Sequence, residues 1–116
     1  MLSFFPVTQI FLVSGVTDMR KSFRGLPAIV QNVVGKDPLR GVYVFCNRRR
    51  NRLKVLFFDR GGYWVCAKRL EKGTFAWPEV GESSLEMTPE ELALLLGGID
   101  LRQTKRRRWY KHAANE

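Results

Sequence analysis

VYVFCNRRRNRLKVLFFDRGGYWVCAKRL, residues 42–70, is the stretch whose reading decides the fold. It holds three runs rich in β-branched and aromatic residues, at 42–46, 53–59 and 63–70. A polar connection over 47–51 and a tight one at Arg60-Gly61-Gly62 separate them. Both connections suit antiparallel hairpins, so the stretch predicts a β meander. Downstream, Phe75 to Trp77 offers a short fifth strand, stopped by Pro78, and 80–86 reads as a loop.

Thr88-Pro89-Glu90-Glu91 is the clearest local signal. Thr88 is a helix N-cap, Pro89 fits the first helical position, and Glu91 completes a capping box. Leu92, Leu95, Leu96 and Ile99 mark an apolar face, and Gly97-Gly98 stops a helix predicted over 89–97. Upstream, residues 10–14 read as a strand. Thr17 or Asp18 can cap a helix whose face is Met19, Phe23, Leu26, Val30, Val33 and Val34, closed by Gly35. Gly25 and Pro27 break that pattern near Leu26 and divide it into two short helices. The predicted fold class is α+β: a small single domain, an antiparallel β meander packed by an N-terminal helical segment and a short C-terminal helix. The expected domain spans residues 1–102, with a basic, flexible tail expected over 103–116.

The chain has 116 residues and is 45% hydrophobic, enough for one core and too apolar for wholesale disorder. Cys46 and Cys66 start no close-spaced metal site, and they read as small buried apolar residues of a reduced protein. His112 is the single histidine. No metal site, cofactor site or His-paired nucleophile is expected from that inventory. There is no signal peptide pattern and no apolar run of about 20 residues, so no membrane is expected as a partner and the expected location is cytoplasmic, at the nucleoid.

The net charge is +9, with a pI near 10.2, which favours a polyanionic partner. The charge is clustered: residues 47–72 carry nine basic and two acidic side chains, and 105–116 carry five and one. Residues 73–104 reverse the sign, with one basic and six acidic. Arg48, Arg49, Arg50, Arg52 and Lys54 concentrate cations at a hairpin tip. Guanidinium forks fit phosphate oxygens and guanine edges, and a two-stranded ribbon fits a major groove. The competing reading is a solvated turn that blunts a sheet edge. Arg20, Lys21 and Arg24 near the first helix are expected to supply secondary phosphate contacts, and Lys68 and Arg69 on the last strand of the meander are further candidates for nucleic-acid binding. In the tail, Lys105, Arg106, Arg107, Arg108 and Trp109 could lie on phosphates or stack on bases.

The aromatic residues Tyr43, Phe45, Phe57, Phe58, Tyr63, Trp64, Phe75 and Trp77 fit either a base-stacking sheet or, more simply, a core. Asp18, Asp37, Asp59 and Asp100 are scattered, and nothing marks them as a metal-binding set for phosphodiester chemistry. The chain reads as no enzyme.

Four blocks are more specific than these patterns: residues 17–26, 47–56, 68–78 and 92–100, reading TDMRKSFRGL, NRRRNRLKVL, KRLEKGTFAWP and LALLLGGID. In this order they resemble the TnpB accessory family of the insertion sequences numbered sixty-six, over about residues 7–102. That family is unrelated to the RNA-guided nuclease of the same name. The resemblance implies a role in bacterial transposition beside a separate, larger transposase that carries the chemistry. It transfers no catalytic residue. Ser22 and Arg24 stand where the family pattern leads one to expect a glycine and often an acidic residue. Ala67 stands where an aromatic is common, which weakens a stacking sheet.

The leading expectation is a non-catalytic DNA-binding accessory factor that meets the transposon ends through the basic hairpin. The alternative is an adaptor that binds the transposase of the same element, presenting Leu92, Leu95, Leu96 and Ile99 as a partner face, with a second copy of the chain as a further candidate partner. The same four residues read more simply as core.

Overall fold

The computed structural model of the chain describes residues 9–98. Its strands are β1 (Ile10–Val13), β2 (Val42–Cys46), β3 (Arg52–Asp59), β4 (Gly62–Arg69) and β5 (Ser84–Met87). Its helices are α1 (Gly25–Ile29), continued by a π-helical stretch over Val30–Val34, and α2 (Pro89–Gly97). The strands form one five-stranded sheet in the order β4-β3-β2-β1-β5.

The sheet is mixed, which corrects the expectation of a wholly antiparallel meander. β2, β3 and β4 do pair antiparallel in sequence, but β1 joins β2 in parallel, with Ile10 opposite Val42 and Leu12 opposite Val44. Parallel neighbours need a long crossover, and the helical segment between β1 and β2 supplies it. β1 and β2 are buried on both faces, as their unbroken apolar runs require.

The fifth strand is also not the expected one. Phe75–Trp77 is irregular: Phe75 and Ala76 are buried, and Phe75 N–H donates to the Arg50 carbonyl at 2.7 Å. Residues 84–87, expected within and just beyond a loop, instead pair antiparallel with β1. Their sequence carries little β propensity, so the pairing comes from the partner strand, reinforced by Ser14 N–H donating to Ser83 O at 3.0 Å.

Thr17 and Asp18 cap no helix. Thr17 is buried, and its N–H donates to Cys46 O at 2.8 Å, so this segment continues along the end of β2. Asp18 Oδ1 accepts from Arg20 N–H at 2.9 Å, a local turn that competes with helix initiation. The helix starts at Gly25 without a side-chain cap, and Pro27 lies in its first turn, where its missing N–H costs nothing. Of the expected face, Leu26 and Val30 are buried, Met19 and Val34 are half-buried, and Phe23 and Val33 are exposed. Gly35 closes the stretch at φ 75, as expected. The capping box of α2 forms as read: Glu91 N–H donates to Thr88 Oγ1 at 3.1 Å, and Thr88 N–H to Glu91 Oε1 at 2.9 Å.

The two sheet faces carry separate cores. On one, Leu12, Val44, Leu53, Val55, Phe57 and Phe75 pack with Leu92 and Leu95 of α2. On the other, Phe11, Val13, Tyr43, Phe45 and Leu56 pack with Leu26 and Val30. Cys46 is buried and Cys66 half-buried, both as thiols, and burial pushes both thiol pKa values up. Among the described residues no helix is long and apolar enough to cross a membrane. Ile99 and the 103–116 tail lie outside the described residues.

Candidate nucleic-acid interface

The parallel pairing of β1 and β2 builds the site. Parallel strands end on the same side of a sheet, so the segment after β1 and the hairpin after β2 emerge together. β3 begins there at Arg52, and β4 ends there at Arg69, its register partner. Four chain segments thus converge at one end of the sheet.

The 47–51 turn is ordered from within. Asn47 Oδ1 accepts from the backbone N–H of Asn51 at 3.1 Å and of Arg52 at 3.0 Å. Asn47 Nδ2 donates to Asn51 Oδ1 at 2.8 Å. Arg50 takes the left-handed conformation, at φ 59. These bonds stiffen the turn that carries Arg48 and Arg49, both exposed.

Two depressions run along this end. One, of about 420 Å³, is lined by Val16, Thr17, Asp18, Met19, Arg20, Asn47, Arg48, Arg49 and Arg52. The other, of about 220 Å³, is lined by Met19, Arg52, Leu53, Lys54, Ala67, Lys68 and Arg69. Met19 and Arg52 line both, so the depressions meet as one basic groove.

The expected contact residues fall into distinct settings. Arg48, Arg49 and Arg52 are exposed and make no side-chain hydrogen bond or ion pair with any described residue. Arg24 and Lys21 are exposed on the segment leading to α1, and Lys21 O accepts from Lys54 Nζ at 2.7 Å. That bond ties the α1 approach to β3. Arg20 forks onto Asp18: Nε reaches Oδ2 at 3.0 Å, and the terminal guanidinium nitrogen reaches Oδ2 at 2.7 Å. The side-chain bond from Arg20, then its backbone bond to the same carboxylate, pull the Asp18 pKa down to about 2. Arg69 holds Glu71 at 3.2 Å.

Arg50 points back into the fold. Its guanidinium donates to Gly15 O at 2.9 Å and Asn47 O at 3.3 Å, and lies 5.5 Å from the Trp77 ring centroid. Its backbone carbonyl also accepts from Phe75. Lys68 turns to the opposite sheet face from Lys54. Its register partner is Leu53, which belongs to the α2-side core, and its Nζ donates to Leu96 O at 2.7 Å. Strand alternation separates Lys68 from Arg69, its neighbour in sequence.

Leu92 and Leu95 are fully buried, Leu96 packs against the same core, and Leu94 is the exposed leucine of α2. The tail residues Lys105, Arg106, Arg107, Arg108 and Trp109 lie outside the described residues. Asp18 and Asp59 sit at opposite ends of β3, one beside Arg52 and the other seven residues along the strand, roughly 23 Å away at strand rise. They do not converge on a common ion. Tyr43, Phe45, Phe57 and Phe75 are buried, so these rings serve the core.

Sequence reading missed the 16–19 segment as a wall of the groove. The available signal was the strand–helix–strand order of residues 10–46, which favours a parallel pair with adjacent carboxyl ends.

The comparisons with known proteins agree with the residue blocks. The family described as IS66 Orf2 like protein matches residues 8–106. Two relatives come from Sinorhizobium fredii (strain NBRC 101917 / NGR234). "Uncharacterized protein y4jC" is 35% identical over 85% of this chain and 86% of its own length. "Uncharacterized protein y4hO" is 38% identical over 81% and 83%. No solved structure matches the chain. A family match across all the described residues, with relatives of the same extent, settles the kinship: this chain belongs to the IS66 Orf2-like family of insertion-sequence accessory proteins.

Proposed function

We propose that this protein is a non-catalytic DNA-binding accessory factor for transposition of its insertion sequence. The observation that carries the reading is the groove at one end of the sheet, where Arg48, Arg49 and Arg52 have no side-chain partner among the described residues. Unpaired guanidiniums on a stiff turn are costly in mutual repulsion unless an anion neutralises them. Arg20, Lys54 and Arg69 extend the same field, and the exposed Lys21 and Arg24 follow on the segment leading to α1. Arg50 and Lys68 hold the frame. The tail cations from Lys105 to Arg108, with Trp109, would add contacts outside it. The ligand is DNA at the element's ends, and the transposase of the same element is the protein partner. The adaptor reading has less support, because Leu92 and Leu95 are spent on the core.

Neutralising about four phosphates gives a log K against log salt slope near −3.6. The test is fluorescence anisotropy on DNA of the terminal repeat, with the triple variant Arg48→Ala, Arg49→Ala, Arg52→Ala. The expected result is a large loss of affinity and a slope shallower by about 2.7. Unchanged affinity and slope in a folded triple variant would overturn the proposal and favour the adaptor.

A further inference from the structure

The groove's lining also indicates which form of DNA it takes. Proteins that hold single strands pair a basic track with exposed rings on which unstacked bases lie. Among the described residues, no aromatic side chain lines either depression. Four sheet aromatics, Phe11, Tyr43, Phe45 and Phe57, are buried, as is Phe75 beside the sheet. Trp64 is 50% exposed, but its register partner Phe57 lies in the α2-side core, and the two rings stack at 6.1 Å. Trp64 therefore faces away from Arg52 and Lys54. Phe23 is 57% exposed but lines neither depression.

What the groove does offer is guanidiniums, on a two-stranded ribbon, that have no partner among the described residues. Such forks suit closely spaced phosphates and the base edges displayed in a wide major groove. A duplex carries both its strands' charges along one axis, so a fixed set of cations meets more phosphates there than on one strand. The A-form major groove of double-stranded RNA is too deep and narrow for side chains to read.

We propose that the groove binds double-stranded DNA, by phosphate and base-edge contact, and does not take single strands. This rests on the DNA-binding reading above. The ribbon tip at Arg48 and Arg49 would enter the major groove, while Arg20 and Arg69 meet phosphates on either side.

The test is a salt titration of the full chain on a labelled duplex and on each of its separated strands. The duplex should bind at least about tenfold more tightly, with a slope near −3.6 for about four neutralised phosphates. Phe23→Ala should leave the duplex-to-single-strand ratio unchanged. Equal or tighter binding of a single strand would overturn the inference while leaving DNA binding intact, as would a ratio that rises when that ring is removed. Absence of binding to all three ligands would instead overturn the underlying reading.

Discussion

Arg52 and Arg69 stand directly opposite each other across the β3–β4 ladder, both exposed. Like charges in register cost sheet stability, and among the described residues only Arg69 of the two has a carboxylate, Glu71, to offset it. A pair that opposes folding, at the point where two depressions meet, fits a surface shaped for an anionic ligand. Arg52→Thr should therefore raise stability by about 0.2–1 kcal/mol in urea denaturation. The same variant should weaken DNA binding and flatten the salt slope by about 0.9. Loss of stability with an intact slope would mean that Arg52 serves the fold.

Arg50 should behave in the opposite way from its neighbours. Its guanidinium joins the 47–51 turn to Gly15 and Trp77, so removing it disconnects segments that frame the groove. Hydrogen bonds from a charged donor typically contribute about 1.5–3 kcal/mol, and Arg50→Ala should cost about 2. Arg50→Gly should cost less than Arg50→Ala, because glycine adopts φ 59 without a Cβ penalty. Arg48→Ala and Arg49→Ala should stay within about 0.5 kcal/mol of the parent. Denaturation midpoints of the four variants give the order directly.

Much of this was legible in the sequence because it depends on local chemistry. The Thr88 capping box, the Gly35 stop and the 42–70 hairpins follow from residues that contact near neighbours, and all three form. The failures are non-local. β5 is a strand because β1 lies beside it, and Ser84-Leu85-Glu86-Met87 announces little of that on its own. The late start of α1 reflects Thr17 bonding to Cys46 and Asp18 bonding to Arg20, where cap propensity alone favoured an earlier start. At the groove, composition located the basic hairpin, but it could not distinguish outward Arg48 from inward Arg50. That difference rests on the left-handed turn and on Gly15 being brought alongside.

Both ends of α2 are held by named side chains, which makes the helix a control for the groove. Thr88→Ala removes the cap and should cost about 1 kcal/mol. Lys68→Ala removes the ammonium that bonds Leu96 O near the helix C-terminus, and should cost about 0.3–1 kcal/mol. Neither should change the salt slope of DNA binding. A slope that flattens in Lys68→Ala would place Lys68 on the DNA.

Asp18 is the acidic side chain lining the larger depression, and its carboxylate holds Arg20 in a fork. Its folded pKa, about 2, lies below its ordinary value of 3.8. A depressed carboxylate contributes stability that is present above the unfolded pKa and is lost as pH falls through the folded one. Its share should therefore disappear between about pH 4 and pH 2, and NMR of the Asp18 side-chain carboxyl should show a midpoint near 2. On the proposed DNA-binding reading, the same carboxylate would compete with phosphate for Arg20 at neutral pH. Asp18→Asn removes that competition and one negative charge, so it should tighten DNA binding by about two- to fivefold, the scale of one exposed ion pair. It should also steepen the salt slope, by up to about 0.9 if Arg20 gains a full phosphate. Affinity that falls in a folded Asp18→Asn variant would show that the fork positions Arg20 for DNA rather than withholding it.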